Sequence, residues 1–437
     1  MTPIQAQGLP AILEGKDLLA QAKTGSGKTA AFAIGLLHKL EVRTYQTQAL
    51  VLCPTRELAD QVSTEIRRLA RAIPNTKIVT LCGGKPMDPQ LASLEHNPHI
   101  VVGTPGRILK HLEKETLKLD GLKTLVLDEA DRMLDMGFHK DIMRIIDLTP
   151  RQRQTLLFSA TYPVGIKVIS DAIQNDPVDV RVESVHDNKK IKQVFYEIQS
   201  SERTQTLVAL LQHYRPESSL VFCNTKQQCQ KLAKELRQQG FHALALHGDL
   251  EQRERDQVLV QFANKSSPIL IATDVAARGL DIKDLPAVIN FELSPDAEIH
   301  IHRIGRTGRA DKEGLALSLF MAYEQYRIDV IEEYKNSPVS IEKTASLKTP
   351  EHKAQKNLKP PMATLCIKGG RKDKIRAGDI LGALTANTDL AGKQIGKIDI
   401  FDKLAYVAVA SQVAEQALKI LTEGKIKGRK FRIQKLH

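Results

Sequence analysis

The sequence predicts an α/β chain: two tandem parallel-sheet domains followed by a small α+β domain of βαββαβ order. Three observations carry this. A length of 437 residues is a prior for two or three domains. Short β-branched runs recur about every 20 to 30 residues with amphipathic stretches between them, the cadence of βαβ units stacked into a parallel sheet. The final segment changes rhythm, alternating strands and helices in an order that closes a small sandwich.

In chain order, the first runs are Leu18 to Ala22, Ala49 to Pro54, Lys77 to Cys82, His99 to Gly103, Thr124 to Leu127, Thr155 to Phe158 and Asp176 to Val182. Ala30 to Leu37 is apolar but sits inside an amphipathic pattern, which predicts a helix. Mixed charge over Glu183 to Lys192 marks a boundary and gives a first domain at 1–184. The cadence resumes with Ser219 to Cys223, Ala243 to Leu246, Pro268 to Ala272, Ala287 to Phe291 and Leu315 to Phe320, a second domain at 185–339. From Ser337 to Pro361 the chain is rich in Lys, Pro and Ser without an apolar period, as expected of an exposed linker, set at 340–361. The third domain, 362–437, reads strand Thr364 to Ile367, helix Ala377 to Leu384, strands Ile398 to Phe401 and Tyr406 to Ala410, helix Val413 to Thr422, strand Lys430 to Gln434. That order is ferredoxin-like.

Hydrophobics at 42% and charged residues at 26% exclude wholesale disorder and fibrous classes. No apolar run approaches about 18 residues, so no membrane span is expected. The N-terminus lacks a basic start, an apolar core and a cleavage site, so secretion is not expected. The five cysteines, Cys53, Cys82, Cys223, Cys229 and Cys366, have no CxxC spacing and read as reduced core thiols of a cytoplasmic protein. Charge is more informative. Residues 340–437 carry 20 Lys and Arg against 9 Asp and Glu, leaving 43 against 42 upstream. A neutral body with a basic end points to a polyanion at that end, most often nucleic acid.

Directly after the first strand stands Ala22-Lys23-Thr24-Gly25-Ser26-Gly27-Lys28-Thr29, running into an apolar helix. Gly25 and Gly27 let the backbone wrap an anion, and the N–H groups with the helix N-terminus supply positive potential. Lys28 then reaches the β- and γ-phosphates, and the Thr29 hydroxyl ligates Mg²⁺. Lys123 to Leu127 runs into Asp128-Glu129-Ala130-Asp131. A carboxylate at that strand end faces the same metal: Asp128 holds Mg²⁺, partly through water, and Glu129 polarises the attacking water as general base. The bland alternative, an acidic helix cap, weakens once a phosphate loop precedes it. Other strand ends carry Pro54-Thr55-Arg56-Glu57-Leu58, Gly83-Gly84, Thr104-Pro105-Gly106-Arg107 and Ser159-Ala160-Thr161. In a parallel sheet these converge on one rim, and small or hydroxyl residues with isolated arginines suit a sugar-phosphate backbone. Each is otherwise a plain turn or cap.

The second domain has no phosphate loop of its own. It offers Phe222-Cys223-Asn224, His247-Gly248-Asp249, Thr273-Asp274 through Arg278 to Asp281, and His302-Arg303-Ile304-Gly305-Arg306-Thr307-Gly308-Arg309. Three arginines within seven residues repel one another unless anions lie opposite. An arginine finger on a γ-phosphate meets that requirement; a solvated basic loop is the bland reading. His302 reads as a structural histidine.

The ordered set resembles the DEAD-box ATP-dependent RNA helicases, with motifs from Gln5 to Arg309 over roughly residues 1–340. The resemblance implies two RecA-like domains binding ATP and RNA across a cleft whose closure completes the ATPase site. It implies that Gln5 in Thr2-Pro3-Ile4-Gln5 recognises adenine, that Ala22 is the family's own variant of the loop, and that Asp281 contacts the ribose. Arg306 and Arg309 then act on the γ-phosphate, and Ser159 and Thr161 couple ATP state to strand opening. Arg56, Gly84, Thr104, Arg107, Asn224, Gly248, Thr273 and Arg278 line the RNA path. The family carries an aromatic residue upstream of the Thr-Pro-x-Gln element, so a chain beginning at Met1 is expected to lack an N-terminal segment. A DNA helicase, or an ATP-gated RNA clamp that rarely unwinds, are the alternatives.

The basic third domain is similar to that of the bacterial DbpA type of this family. That likeness implies an RRM-like fold that anchors a cytoplasmic, monomeric enzyme to a hairpin of large-subunit (23S) ribosomal RNA in ribosome assembly. RRM folds usually stack bases on sheet aromatics, yet the first strand has none and the third only Tyr406. Cations cluster instead at Arg371, Lys372, Lys374 and Arg376, and at Lys425, Lys427, Arg429 and Lys430. Recognition of a structured RNA by loops is therefore expected.

Overall fold

The computed structural model describes all residues except 23–25, 162–163, 183–190, 278–284, 309–312, 348–359, 387–388 and 437. The chain divides into two units, one holding the first sheet and the other the second and third sheets.

In the first unit, strands β1 (Leu18–Gln21), β2 (Ala49–Leu52), β3 (Ile78–Leu81), β4 (Ile100–Gly103), β5 (Thr124–Asp128), β6 (Gln154–Ser159) and β7 (Val178–Arg181) form a seven-stranded sheet in the order β3-β4-β2-β5-β6-β1-β7. Every pairing is parallel. Strands β2, β4, β5 and β6 are buried along their whole length, which is why they read as unbroken apolar runs rather than alternating ones. The period of two survives as a choice of layer. Leu18, Ala20, Val51 and Val126 pack with Ile4, Phe32, Leu58 and Ile66 on one face. Leu19, Leu50, Leu125 and Leu127 pack with Ile108, Met133, Ile142 and Ile166 on the other.

The second unit repeats the plan with β8 (Ile191–Glu197), β9 (Ser219–Phe222), β10 (Ala243–Leu246), β11 (Ile269–Ala272), β12 (Ala287–Asn290), β13 (Gly314–Phe320) and β14 (Ser340–Glu342), in the order β10-β11-β9-β12-β13-β8-β14. Two of these strands lie where none was expected. Strand β8 carries Lys192 and Gln193 directly after Ile191, and their polarity hides it, yet it pairs with β13 over its full length. Strand β14 corrects the linker assignment: Ser340, Ile341 and Glu342 pair with Val194, Phe195 and Tyr196, inside the stretch read as linker. Leu347 also packs against the second core. A three-residue edge strand is too short to show a period.

The third sheet comprises β15 (Met362–Ile367), β16 (Ile395–Ile400), β17 (Ala405–Ala410) and β18 (Ile433–Lys435), antiparallel in the order β16-β17-β15-β18. Leu365, Ile367, Val407 and Val409 face Ile380, Leu384, Ala417 and Leu421 of the helices Ala377–Thr385 and Ala414–Glu423. The alternate residues Thr364, Cys366 and Tyr406 point the other way, and they meet the second sheet's domain. Cys366 and Tyr406 pack with Val260 of the helix Gln252–Ala263. The Thr364 hydroxyl meets Ser266 Oγ at 2.7 Å and accepts from Asn264 Nδ2 at 3.3 Å. Tyr406 is left 1% exposed, so the sheet face that RRM folds use for stacking is closed here. All five cysteines are buried and free.

Candidate functional site

Strand order assembles the first site. β1 lies beside β6 and β6 beside β5, so the segments leaving their carboxyl ends are neighbours. Gly27 starts the helix Lys28–His38 at φ 91°, a conformation favouring glycine, and a Cβ there would meet Gln5 Nε2 at 2.6 Å. Gln5 Nε2 donates to Gly27 O at 3.1 Å, and Gln5 Oε1 accepts from Thr2 N at 3.0 Å. The predicted adenine reader thus touches the loop predicted to hold phosphate. Ala22 N donates to Ser159 O at 2.9 Å, tying the loop's start to the end of β6.

Lys28, its side chain 4% exposed, points Nζ at Asp128 Oδ1 at 3.1 Å and Glu129 Oε1 at 3.8 Å. Burial alone would lower the Lys28 pKa, but the carboxylates of Asp128, Glu129 and Asp131 outweigh it and the pKa is raised. Burial raises the Asp128 pKa, against the pull of Lys28. Lys28 Nζ, both Asp128 oxygens and Ser26 Oγ are buried without a hydrogen bond among the described residues. Such groups are costly unless something else satisfies them. A phosphate and a hard cation suit this donor and acceptor set, Thr29 opening the same helix.

Glu129 is 1% exposed and sits in the left-handed region at φ 56°, ψ 53°. A non-glycine residue pays about 1 kcal/mol or more for that conformation, a strain typical of functional positions. Arg132 Nη1 pairs with Glu129 Oε2. Asp131 Oδ2 accepts from Ala160 N and Thr161 N, each at 3.1 Å, and from Thr161 Oγ1 at 3.0 Å. The end of β5 is thereby fastened to the segment after β6. Asp131 and Arg132 carried no role in the sequence reading; the last carboxylate of the Asp128 to Asp131 run was the available signal.

Along the same rim, the Arg56 guanidinium fills the space where a side chain on Gly84, at φ 70°, would stand. Arg107 Nη1 donates to Lys85 O at 3.1 Å, and Thr104 precedes the helix Pro105–Glu113 as its cap residue. These four residues follow β2, β3 and β4, which are adjacent.

In the second unit, Arg303 is 1% exposed and gathers three predicted segments. Its Nε and Nη2 donate to Asp274 Oδ1 and Oδ2 at 2.7 and 2.8 Å, and Nη2 donates to Asn224 Oδ1 at 2.8 Å. The guanidinium also lies 5.1 Å from the Phe222 ring centre. One of the three clustered arginines therefore has a protein carboxylate as its anion. Arg306 is 6% exposed, and its carbonyl accepts from Leu285 N. Gly248 is open to solvent, whereas Thr273 accepts from Ala276 N at 3.4 Å. Lys23, Thr24, Gly25, Arg278, Asp281 and Arg309 lie outside the described residues.

The two basic clusters of the third domain meet. Lys427 Nζ donates to Lys374 O at 3.0 Å. Ile426 and Arg429 exchange both backbone hydrogen bonds across Lys427 (φ 52°) and Gly428 (φ 77°), a two-residue turn of the primed kind. Arg371 Nη2 donates to Ile400 O at 3.0 Å, and Arg371 N to Phe401 O at 2.8 Å. Arg371, Lys372, Lys374, Lys425, Lys427 and Arg429 are all exposed, forming one cationic surface.

Comparison with known proteins agrees with this geometry. Residues 2–169 match the DEAD/DEAH box helicase family, 202–311 the helicase conserved C-terminal domain and 364–435 the DbpA RNA binding domain. The chain is 54% identical over 436 residues to the ATP-dependent RNA helicase DbpA of Escherichia coli (strain K12), covering 100% of this chain and 94% of that one. It is 37% identical over 452 residues to the ATP-dependent RNA helicase DbpA of Bacillus subtilis (strain 168), covering 99% and 94%. Among solved structures, S. cerevisiae Dbp5 bound to RNA and ADP BeF3 aligns with a TM-score of 0.71 and 29% identity, covering 78% of this chain and 90% of that one.

Proposed function

This chain belongs to the DEAD-box ATP-dependent RNA helicases and is an RNA-dependent ATPase; from that premise we propose that its C-terminal domain directs it to a hairpin of large-subunit (23S) ribosomal RNA, where it separates short duplexes in ribosome assembly. Acting as a cytoplasmic monomer belongs to the same proposal. The observation that carries the ATPase centre is the buried Lys28–Asp128 pair at 3.1 Å, whose nitrogen and oxygens have hydrogen-bonding capacity unspent.

In this reading the loop Ala22 to Thr29 wraps the triphosphate, Gln5 reads adenine and Asp281 meets the ribose. Lys28 turns from Asp128 toward the β- and γ-phosphates, a move its charge favours. Thr29 Oγ1 and Asp128 would hold Mg²⁺, partly through water, and the bound ion would offset phosphate charge. Glu129 takes the proton of the attacking water, and Arg132 holds that carboxylate in place. Arg306 and Arg309 neutralise charge on the γ-phosphate in the transition state. Thr161, through Asp131, relates the acidic strand end to the RNA rim, and Ser159, through its carbonyl on Ala22 N, relates the same segment to the phosphate loop. Arg56, Gly84, Thr104 and Arg107 contact RNA from the first unit, Asn224, Gly248 and Thr273 from the second, and Arg278 contacts it as well.

Binding of the hairpin by Arg371, Lys372, Lys374, Lys425, Lys427 and Arg429 is supported by their exposure and by the closure of Tyr406 against Val260. The test uses ATP binding and RNA-stimulated hydrolysis side by side. Lys28→Ala should weaken nucleotide binding about tenfold or more, whereas Glu129→Gln should bind ATP normally and lose about 10² or more in turnover. RNA-stimulated hydrolysis surviving in Glu129→Gln refutes the base assignment.

A further inference from the structure

The helix Gln325–Lys335 turns an apolar face to water. Its inner side is conventional: Ile328 and Ile331 are buried among Phe195, Leu293 and Phe320. Its outer side carries Tyr326, Val330 and Tyr334, at i, i+4 and i+8, which are 57%, 48% and 54% exposed. Tyr323, from the turn just before the helix, is 71% exposed. The chain has 8 tyrosines and no tryptophan, so this short stretch concentrates aromatic surface that the rest of the molecule spends sparingly. A surface helix normally presents charged and polar groups there, and an exposed aromatic patch marks an interaction surface.

Charge selects the occupant. Asp329 and Glu333 stand on the helix beside the tyrosines, and burial, with the negative charges of Glu298 and Asp296, raises the Tyr334 phenol pKa. The cations of the helix are already engaged, Arg327 with Tyr326 itself, whose hydroxyl accepts from Arg327 Nε at 3.0 Å. Arg327 Nη1 donates to Leu293 O at 3.1 Å and to Glu324 Oε1 at 3.0 Å, and its guanidinium lies 5.6 Å from the Tyr326 ring centre. Lys335 Nζ donates to Gln193 Oε1 at 3.0 Å. Aromatic faces bordered by carboxylates repel phosphate and attract guanidinium.

We propose that the Tyr323–Tyr326–Val330–Tyr334 stripe docks an arginine-rich segment of a partner protein, its guanidinium planes stacking on Tyr326 and Tyr334 while Asp329 and Glu333 neutralise them. Eight residues of helix separate those two rings by about 12 Å. An extended peptide covers that distance in about four residues, so arginines about four apart fit the stripe.

The test is fluorescence anisotropy with the full chain and a labelled synthetic peptide carrying arginine at every fourth position on a Gly/Ser background. The double variant Tyr326→Ser/Tyr334→Ser, and separately Glu333→Lys, should bind it at least tenfold more weakly than the parent, with RNA-stimulated ATPase unchanged in both. No measurable binding by the parent, or equal binding by the tyrosine variant, overturns the proposal. So does displacement of the peptide from the parent by oligo(U) in a tyrosine-dependent manner, which would make the stripe an RNA platform, or loss of a dimer in sedimentation on tyrosine substitution, which would make it a self-association surface.

Discussion

Asp131 Oδ2 gathers three donors from the segment after β6, and Asp131→Ala would leave all three without an acceptor. Each unanswered buried donor costs about 1 kcal/mol or more, so the variant should lose about 2 to 4 kcal/mol in denaturant unfolding. Strand separation per ATP hydrolysed should fall further than hydrolysis itself. A second residue sets a pH dependence. His300 is buried, stacked on Phe195 with ring centres 5.6 Å apart, and burial together with Arg303 and Lys335 lowers its pKa to about 3. The unfolded chain therefore takes up the proton first. Stability should fall as pH drops below about 6.5, by at most about 1.4 kcal/mol per pH unit, and the loss continues down to the folded value. His300→Phe should flatten the stability profile between about pH 6.5 and 4.5, measured by urea titration at each pH; an unchanged slope would exclude this residue as the source. That Lys28, Asp128 and Glu129 come together was legible in the sequence, because a phosphate loop and an acidic run each stand at the end of an apolar strand run. The contact of Asp131 with Thr161 was not, although both residues were in view, since it depends on β5 and β6 being neighbours. Arg303 was hidden for the same reason: its anion, Asp274, is 29 residues away.

At the scale of elements, legibility followed pattern length. In the third sheet, β15 and β17 are nearly unbroken apolar runs, so they were recovered to within two residues at their starts and to the residue at their ends. Strand β8 has Lys192 and Gln193 near its start, and β14 has three residues at a sheet edge, where neither period nor burial leaves a trace. The two faces of β15 and β17 were legible only in part. Alternation assigns Leu365, Ile367, Val407 and Val409 to the helices, but it cannot say that the opposite face meets a different domain. That contact gives the third domain's sheet a structural task. Tyr406→Ala should cost about 3 to 5 kcal/mol in the unfolding of this part of the chain, as for other buried aromatics. Hairpin affinity measured at a temperature where the variant remains folded should be unchanged, and a loss of binding there would return the sheet face to RNA recognition.

For the molecule as a whole, the uneven charge is the feature with the widest consequences. In the proposed reading, two nearly neutral α/β domains carry the nucleotide chemistry and a basic third domain anchors the hairpin, so anchoring and catalytic power reside in different residues. Hairpin binding should weaken steeply with salt, as expected when lysines and arginines displace counterions from phosphates. The separation of tasks is tested most directly by ATP hydrolysis as a function of hairpin RNA concentration, comparing the full chain with Lys372→Glu/Lys427→Glu. The account predicts that the hairpin concentration for half-maximal stimulation rises about 10²-fold while maximal turnover stays the same; an unchanged half-maximal concentration, or a collapse of maximal turnover at saturating RNA, would contradict it.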